Sequence, residues 1–332
     1  MMIFKDLLKQ RFILLILFTT IIAGCSKKSV NVSRNTTGDT SFKVIGYLPN
    51  RMDLLAAADL VDFQKITHLY IAFVNPDSLG NLTGTANLKA VAALAHSKNV
   101  KILVSIGGGG APKYYPSFLS GEKKIKLTQD LVNLAVENKL DGIDVDLEGE
   151  LIDANYENFV IDLAAVLKKN NKLITAAIAT VYKNQFTDKA LAQFDFVNIM
   201  SYDRTGPWRP EQPGPHAPYS MAEEDLQYWL ETRKMSKEKL TLGLPFYGYG
   251  FGDNAPESIS YKNILREYPD SINQDQMHLN GGMVYYNGLP TMRNKTELAK
   301  EKVSGVMIWQ LLQDSTGAKS LLGEIDAVVK RK

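Results

Sequence analysis

From residue 42 onward the chain repeats one alternation. A short, β-branched apolar run is followed by a segment whose apolar residues fall three and four apart. Eight such runs occur: 42–49, 66–74, 100–108, 140–148, 173–180, 194–202, 240–248 and 303–311. Runs that are apolar almost throughout suit parallel strands covered on both faces. The segments 88–98, 124–138, 155–169 and 221–234 carry the helical spacing between them. Eight strands alternating with helices over about 290 residues predict the α/β class and a closed (β/α)8 TIM barrel. A doubly wound open sheet is the alternative. It requires a glycine-rich phosphate turn after an early strand, and the one candidate, "SIGGGG" at 105–110, lacks the G-x-G-x-x-G spacing and the Lys-Ser/Thr pair. The connection over 250–302 exceeds a helix. It predicts a short insertion between strands 7 and 8, folded as a small hairpin over one rim.

The first 41 residues do not share this pattern. Lys5, Lys9 and Arg11 precede an apolar core from Phe12 to Ala23, too short for a bilayer of about 30 Å but suited to a signal peptide. Ala23 and Gly24 stand before Cys25, the single cysteine, and this order resembles the lipobox of bacterial lipoproteins. The resemblance implies a signal peptide over 1–25, lipidation of Cys25, and an exported protein anchored in the cell envelope, at the outer membrane. A plain secretory signal with an incidental thiol is the alternative. One cysteine also excludes an internal disulfide. The polar, aperiodic stretch 26–41 reads as a flexible linker, leaving 42–332 as the catalytic barrel. A net charge of +2 with no long basic run gives no reason to expect nucleic acid as a partner. Membrane contact is expected through the lipid alone, and the protein is expected to be a monomer.

Chemistry concentrates in "DGIDVDLEGE", residues 141–150, where Asp144, Asp146 and Glu148 alternate with Val145 and Leu147. On a strand, residues two apart share a face and lie about 6.6 Å apart. The three carboxyls therefore climb one face toward the C-terminal end, where barrel active sites sit. Like charge and burial raise carboxyl pKa values, so one group stays protonated near neutral pH. A protonated carboxyl is the acid that cleavage of a glycosidic bond needs. An acidic, solvated edge strand fits poorly, because Ile143, Val145 and Leu147 need burial. A divalent-metal site is the second alternative. Of the four histidines, His68 lies mid-strand, His96 in a helix, and His216 and His278 in loops, so none marks a strand's C-terminal end and no metal or other cofactor is expected.

"DGIDVDLE" resembles the Asp-Gly-x-Asp-x-Asp-x-Glu signature of glycoside hydrolase family 18, the chitinase and endo-β-N-acetylglucosaminidase family. "SIGG" (105–108), "MSYD" (200–203), "GLPFYG" (243–248) and "GVMIW" (305–309) resemble its other strand-end motifs. The resemblance implies a retaining hydrolase of β-1,4 bonds after N-acetylglucosamine that uses the substrate's own acetamido oxygen as nucleophile and forms an oxazolinium. Glu148 is then the general acid. Asp146 holds the acetamido N–H, and Asp144 lies deeper and shares a proton with Asp146. Tyr202 binds the acetamido oxygen, Asp203 orients the sugar, and Trp309 is the apolar floor. Met200, Tyr47, Phe73, Gly107, Gly108 and Tyr247 are implied as further substrate-binding positions, Tyr47 and Phe73 being equally suited to the core. Leu147 and Gly149 stand where many chitinases have Trp and Tyr. Tyr249 stands where Arg or His is common, and Leu312 replaces one of two aspartates while Asp314 keeps the other. These departures touch the rim, so the natural glycan stays open: chitin oligomers, the chitobiose core of N-glycans, or binding without cleavage, as in lectin-like members.

Overall fold

The computed structural model describes residues 42–51 and 53–331. The expected signal peptide over 1–25, Cys25 and the expected linker over 26–41 lie outside the described residues.

In chain order the strands are β1 (Lys43–Pro49), β2 (His68–Ala72), β3 (Lys101–Gly107), β4 (Gly142–Asp146), β5 (Leu173–Ile178), β6 (Phe196–Ile199), β7 (Leu240–Pro245), β8 (Tyr247–Phe251), β9 (Ile259–Ser260), β10 (Gln276–Leu279), β11 (Gly282–Tyr285) and β12 (Gly305–Trp309). The helices are α1 (Leu54–Ala58), α2 (Leu88–Ser97), α3 (Gly121–Glu137), α4 (Tyr156–Lys169), α5 (Asp188–Gln193), α6 (Tyr219–Gln227), α7 (Tyr261–Glu267), α8 (Leu289–Lys302) and α9 (Leu321–Lys330). Eight parallel strands close in the order β1-β12-β7-β6-β5-β4-β3-β2. This is the (β/α)8 barrel that the alternation predicts.

Period two within each strand sorts the side chains. Ile143, Val145 and Leu147 join the large cluster between strands and helices, while Tyr47, Tyr70, Leu103, Met200, Tyr202 and Met307 belong to a second cluster inside the barrel. Burying each such aliphatic side chain contributes roughly 1.5–3 kcal/mol, which offsets the cost of turning the alternate carboxylates inward.

Two elements differ from the sequence reading. The insertion is an antiparallel sheet in the order β10-β11-β8-β9, accompanied by α7, rather than a lone hairpin. It starts because β7 ends at Pro245, which has no N–H to continue a ladder; Phe246 donates to the Trp309 carbonyl, and the chain turns into β8. His278 lies in β10 and not in a loop: Met277 and Leu279 are buried while Gln276 and His278 are exposed, the period-two pattern of an edge strand. Strands are also shorter than their apolar runs. β4 stops at Asp146, and Glu148 follows in extended backbone at φ −123°, ψ 151°.

Candidate active site

Barrel register places the polar groups. Ser105 on β3 and Thr175 on β5 both pair with Asp144 on β4, so three polar side chains share one interior level. The Asp144 Oδ2 accepts from Ser105 Oγ at 2.7 Å and from Tyr47 OH at 2.7 Å, and its Oδ1 accepts from Thr175 Oγ1 at 2.6 Å. Tyr47 reaches Asp144 from β1. Burial raises the Asp144 pKa against the pull of the three hydroxyls. The ladder continues through Tyr70 OH to Thr175 Oγ1 (3.1 Å) and through Thr241 Oγ1 to Asn198 Oδ1 (2.8 Å). These groups interrupt apolar strands one residue at a time, a signal present in the sequence and missed there.

Asp146 is also buried, yet its Oδ1 has no hydrogen-bond partner. Burial first, then the charge of Glu148, then that of Asp144, hold its pKa well above the ordinary carboxylate range. Both neighbouring carboxyls thus act on Asp146, from above and from below. Burial, then the charge of Asp203, push Glu148 up to about 7. A carboxyl with that value is largely protonated below neutral pH and can give its proton away.

Asp203 follows β6 with φ +62°, the left-handed region that a non-glycine residue occupies at a cost. Its Oδ1 accepts from Tyr247 OH and lies 3.3 Å from His216 Nδ1. His216, fully buried, directs Nε2 at the Tyr247 carbonyl oxygen, 3.2 Å away. The sequence reading assigned His216 to a loop and gave it no role. Only the fold brings it behind Asp203. Tyr202 OH has just a weak contact with Met307 Sδ, at 3.8 Å, and is available to a better acceptor.

Trp309 ends β12 and stacks on Phe73, ring centroids 5.6 Å apart and planes 28° apart, with Tyr47 edge-on at 5.4 Å. Met200 is buried in the interior cluster beside Tyr202 and Tyr247. Gly107 and Gly108 are needed for backbone packing. Both have positive φ, and a Cβ would lie 2.1 Å from the Asp146 carbonyl oxygen at Gly107 and 2.3 Å from the Phe73 ring at Gly108. They let β3 press against the exit of β4. It is Gly109 that faces the acid, with a Cβ position 3.3 Å from Glu148 Oε1. Asn75 secures this corner: its Oδ1 accepts from Gly107 N at 2.7 Å and its Nδ2 donates to Gly107 O at 2.9 Å.

Of the rim departures, Tyr249 packs edge-on against both Trp208 (5.3 Å) and His216 (5.0 Å). Trp208 is 54 % exposed. Gly149 has φ +55°, and a Cβ there would be in ordinary contact with Tyr182 OH at 3.6 Å. Space for a ligand exists beside the acid and beside Trp309. A cavity of about 300 Å³ adjoins Trp309, Phe73, Arg51 and Gln313, and one of about 230 Å³ adjoins Glu148, Gly109, Lys113 and Glu150. Among the described residues no three His, Cys, Asp or Glu side chains are grouped to hold a metal ion.

The family model described as "Glycosyl hydrolases family 18" matches residues 40–314. The chain belongs to that family. Other family 18 proteins resemble it along most of the barrel. The GH18 chitinase ChiB from the chitin utilization locus of Flavobacterium johnsoniae is 35 % identical, with 87 % of this chain and 94 % of that one covered and a TM-score of 0.79. A chitinase from Bacteroides thetaiotaomicron is 29 % identical over 87 % of this chain and 97 % of its own, with a TM-score of 0.74. A chitinase-like effector of Moniliophthora roreri is 28 % identical over 65 % of this chain and 61 % of its own length. The chain thus spans about three fifths of that relative.

Proposed function

We propose that this family 18 protein is a glycosidase that cleaves β-1,4 bonds that follow N-acetylglucosamine in chitin-type oligosaccharides, with retention of configuration and with the substrate's acetamido oxygen as nucleophile. The observation that carries the reading is Asp146 Oδ1. It is buried, has no partner, and lies one level below Glu148. An unsatisfied buried acceptor costs about 1–3 kcal/mol, and an acetamido N–H is the donor that would relieve it. In this reading Glu148 protonates the leaving oxygen. Asp146 then draws the acetamido group into place and balances the positive charge that develops on it. Tyr202 OH donates to the acetamido oxygen and aims it at the anomeric carbon. Trp309 and Phe73 give the sugar an apolar face, as aromatic rings commonly do. Asp144, held by three hydroxyls, lies deeper and shares a proton with Asp146. Asp203, held by Tyr247 and His216, orients the sugar. Water then opens the oxazolinium with Glu148 as base.

Incubation with chitooligosaccharides and with a high-mannose glycoprotein, in parallel and with products identified by mass, tests the substrate. We expect shortened chitooligosaccharides and intact glycoprotein. Release of glycan from the glycoprotein, with the oligosaccharides untouched, would transfer the reading to the chitobiose core of N-glycans. Binding of either without cleavage would make the protein a lectin.

We also infer that the mature protein is lipid-anchored through Cys25 in a bacterial cell envelope, at the outer membrane. The support is the order of basic residues, apolar core, Ala23-Gly24 and cysteine. Several acyl chains on one residue anchor stably where a single chain binds marginally. Cys25→Ser should leave the membrane fraction, since a hydroxyl in its place is not lipidated. A variant that still pellets with membranes after a salt wash would end this reading.

A further inference from the structure

Lys295 lies on α8, outside the cluster of carboxyls, and is fully buried. An ammonium is expensive to bury and is expected to face a carboxylate. Here it faces two neutral oxygens. Its Nζ donates to the Ala217 carbonyl at 2.7 Å and to Asn287 Oδ1 at 2.8 Å. Asn287 Nδ2 donates to the same Ala217 carbonyl at 3.0 Å and to the Tyr286 carbonyl at 3.0 Å. One backbone oxygen, on a buried residue, is therefore gripped twice: from α8 and from the segment where the inserted sheet leads into α8.

That oxygen belongs to the residue after His216. The His216 carbonyl accepts from Arg204 N at 2.9 Å, which closes the 204–216 loop at its base. The His216 ring lies 5.0 Å from Tyr247 and 5.0 Å from Tyr249 and sits behind Asp203. A strained conformation such as that of Asp203 persists only where the surroundings over-determine it. The surroundings here are Tyr247, His216 and the closed loop, and the far end of that loop is fixed by Lys295 and Asn287.

We propose that Lys295 is a positioning residue for the glycosidase site, gripping Ala217 so that His216 holds Asp203 in its working orientation. The proposal rests on the role given above to Asp203. Geometry explains the choice of lysine: its three donors serve two acceptors at once, and hydrogen bonds from a charged donor are about twice as strong as neutral ones. Burial pushes the Lys295 ammonium down to about 7, and the more distant charges of Asp275 and Asp225 act to keep the proton on. Asp225 is itself buried, on α6, the helix that follows the gripped loop.

The test uses the full chain with Lys295→Met, which fills similar space without donors. The imidazole nitrogen and ring-proton signals of the four histidines are recorded first. We expect those of His216 to shift or broaden while those of His68, His96 and His278 stay in place. Turnover of an aryl chitobioside, per folded molecule and well below the melting temperature, should fall about 10- to 100-fold, the range that misplacement of a reacting group by about 1 Å brings. KM should change by less than about threefold, the mark of an interaction used in the transition state. In an Asp203→Asn background the same substitution should cost less than about twofold more, because both changes remove one effect. An unmoved His216 signal, unchanged turnover, or the full loss repeated in the Asp203→Asn background would each overturn the proposal. If the unsubstituted protein does not cleave the glycoside, the functional reading fails, and the His216 signals alone decide the positioning role. Should Lys295→Met not fold, Asn287→Ala removes one of the two donors on the Ala217 carbonyl. A shifted His216 with a smaller turnover loss supports the proposal there, and native values for both overturn it.

Discussion

Glu148→Gln should lower kcat by at least about 10²- to 10⁴-fold, the range attributed to a positioned general acid, while sugar binding stays within a few-fold. The amide keeps the size of the carboxyl and removes the transferable proton. The pH dependence supplies a second reading of the same residue. The native rate should fall as pH rises through about 7, because burial and the Asp203 charge raise the Glu148 pKa to about that value and deprotonation disarms the acid. That limb should be absent from whatever activity Glu148→Gln retains. Stability should move in the same direction with pH. A carboxyl whose folded pKa is raised stabilises the fold fully below its unfolded pKa and loses that contribution as pH rises through the folded one. The deprotonated Glu148 is therefore a liability above about pH 7, and Glu148→Gln should be more stable to unfolding than the native protein at pH 8, by on the order of 1–3 kcal/mol. Equal kcat for the two proteins, measured with an aryl chitobioside from pH 5 to 9, would remove Glu148 as the acid.

Aryl chitobioside should be turned over, and the matched aryl cellobioside should be inert. Both offer a leaving group that Glu148 can protonate, but the cellobioside lacks the internal acetamido oxygen. No carboxylate is placed to take its place as nucleophile: Asp146, whose Oδ1 is unpartnered, lies in line beneath Glu148 on the same extended stretch and not across the sugar from it. Asp144 is fully engaged by Tyr47, Ser105 and Thr175, and Asp203 is engaged by Tyr247 and His216. A thiazoline that mimics the oxazolinium should inhibit strongly, since a site complementary to an intermediate-like state binds its analogues far more tightly than substrate. Asp146→Asn should reduce kcat much more than it weakens binding, because its interaction grows as charge develops on the acetamido group. Comparable rates on the two glycosides, together with indifference to the thiazoline, would rule out substrate assistance and point to a two-carboxylate glycosidase.

The sequence by itself determined the architecture and the line of carboxyls. Eight apolar runs with helical spacing between them leave few ways to bury both faces of every strand, and a closed barrel is the economical one. Alternation did the rest for β4. With Ile143, Val145 and Leu147 committed to the helix side, Asp144, Asp146 and Glu148 had to face the interior. A period of two is a local property, so one strand's sequence is enough to reveal it.

Tertiary structure decided what each carboxyl meets. The hydroxyls on Asp144 come from β1, β3 and β5, and their shared level is a matter of barrel register, which no single strand encodes. The lone Ser105 and Thr175 are visible in the sequence as polar residues in apolar runs, but their common target is not. The inserted sheet escaped a linear reading because its strands are two to five residues long, and its antiparallel pairing joins segments up to 36 positions apart, such as Tyr249 and Tyr285. His216 and Lys295 lie 13 and 92 residues from Asp203 in the chain and act on it through a loop and a buried carbonyl. Proximity of that kind arises only when the barrel closes, because closure brings the β6 loop, the inserted sheet and α8 to the same side of the mouth.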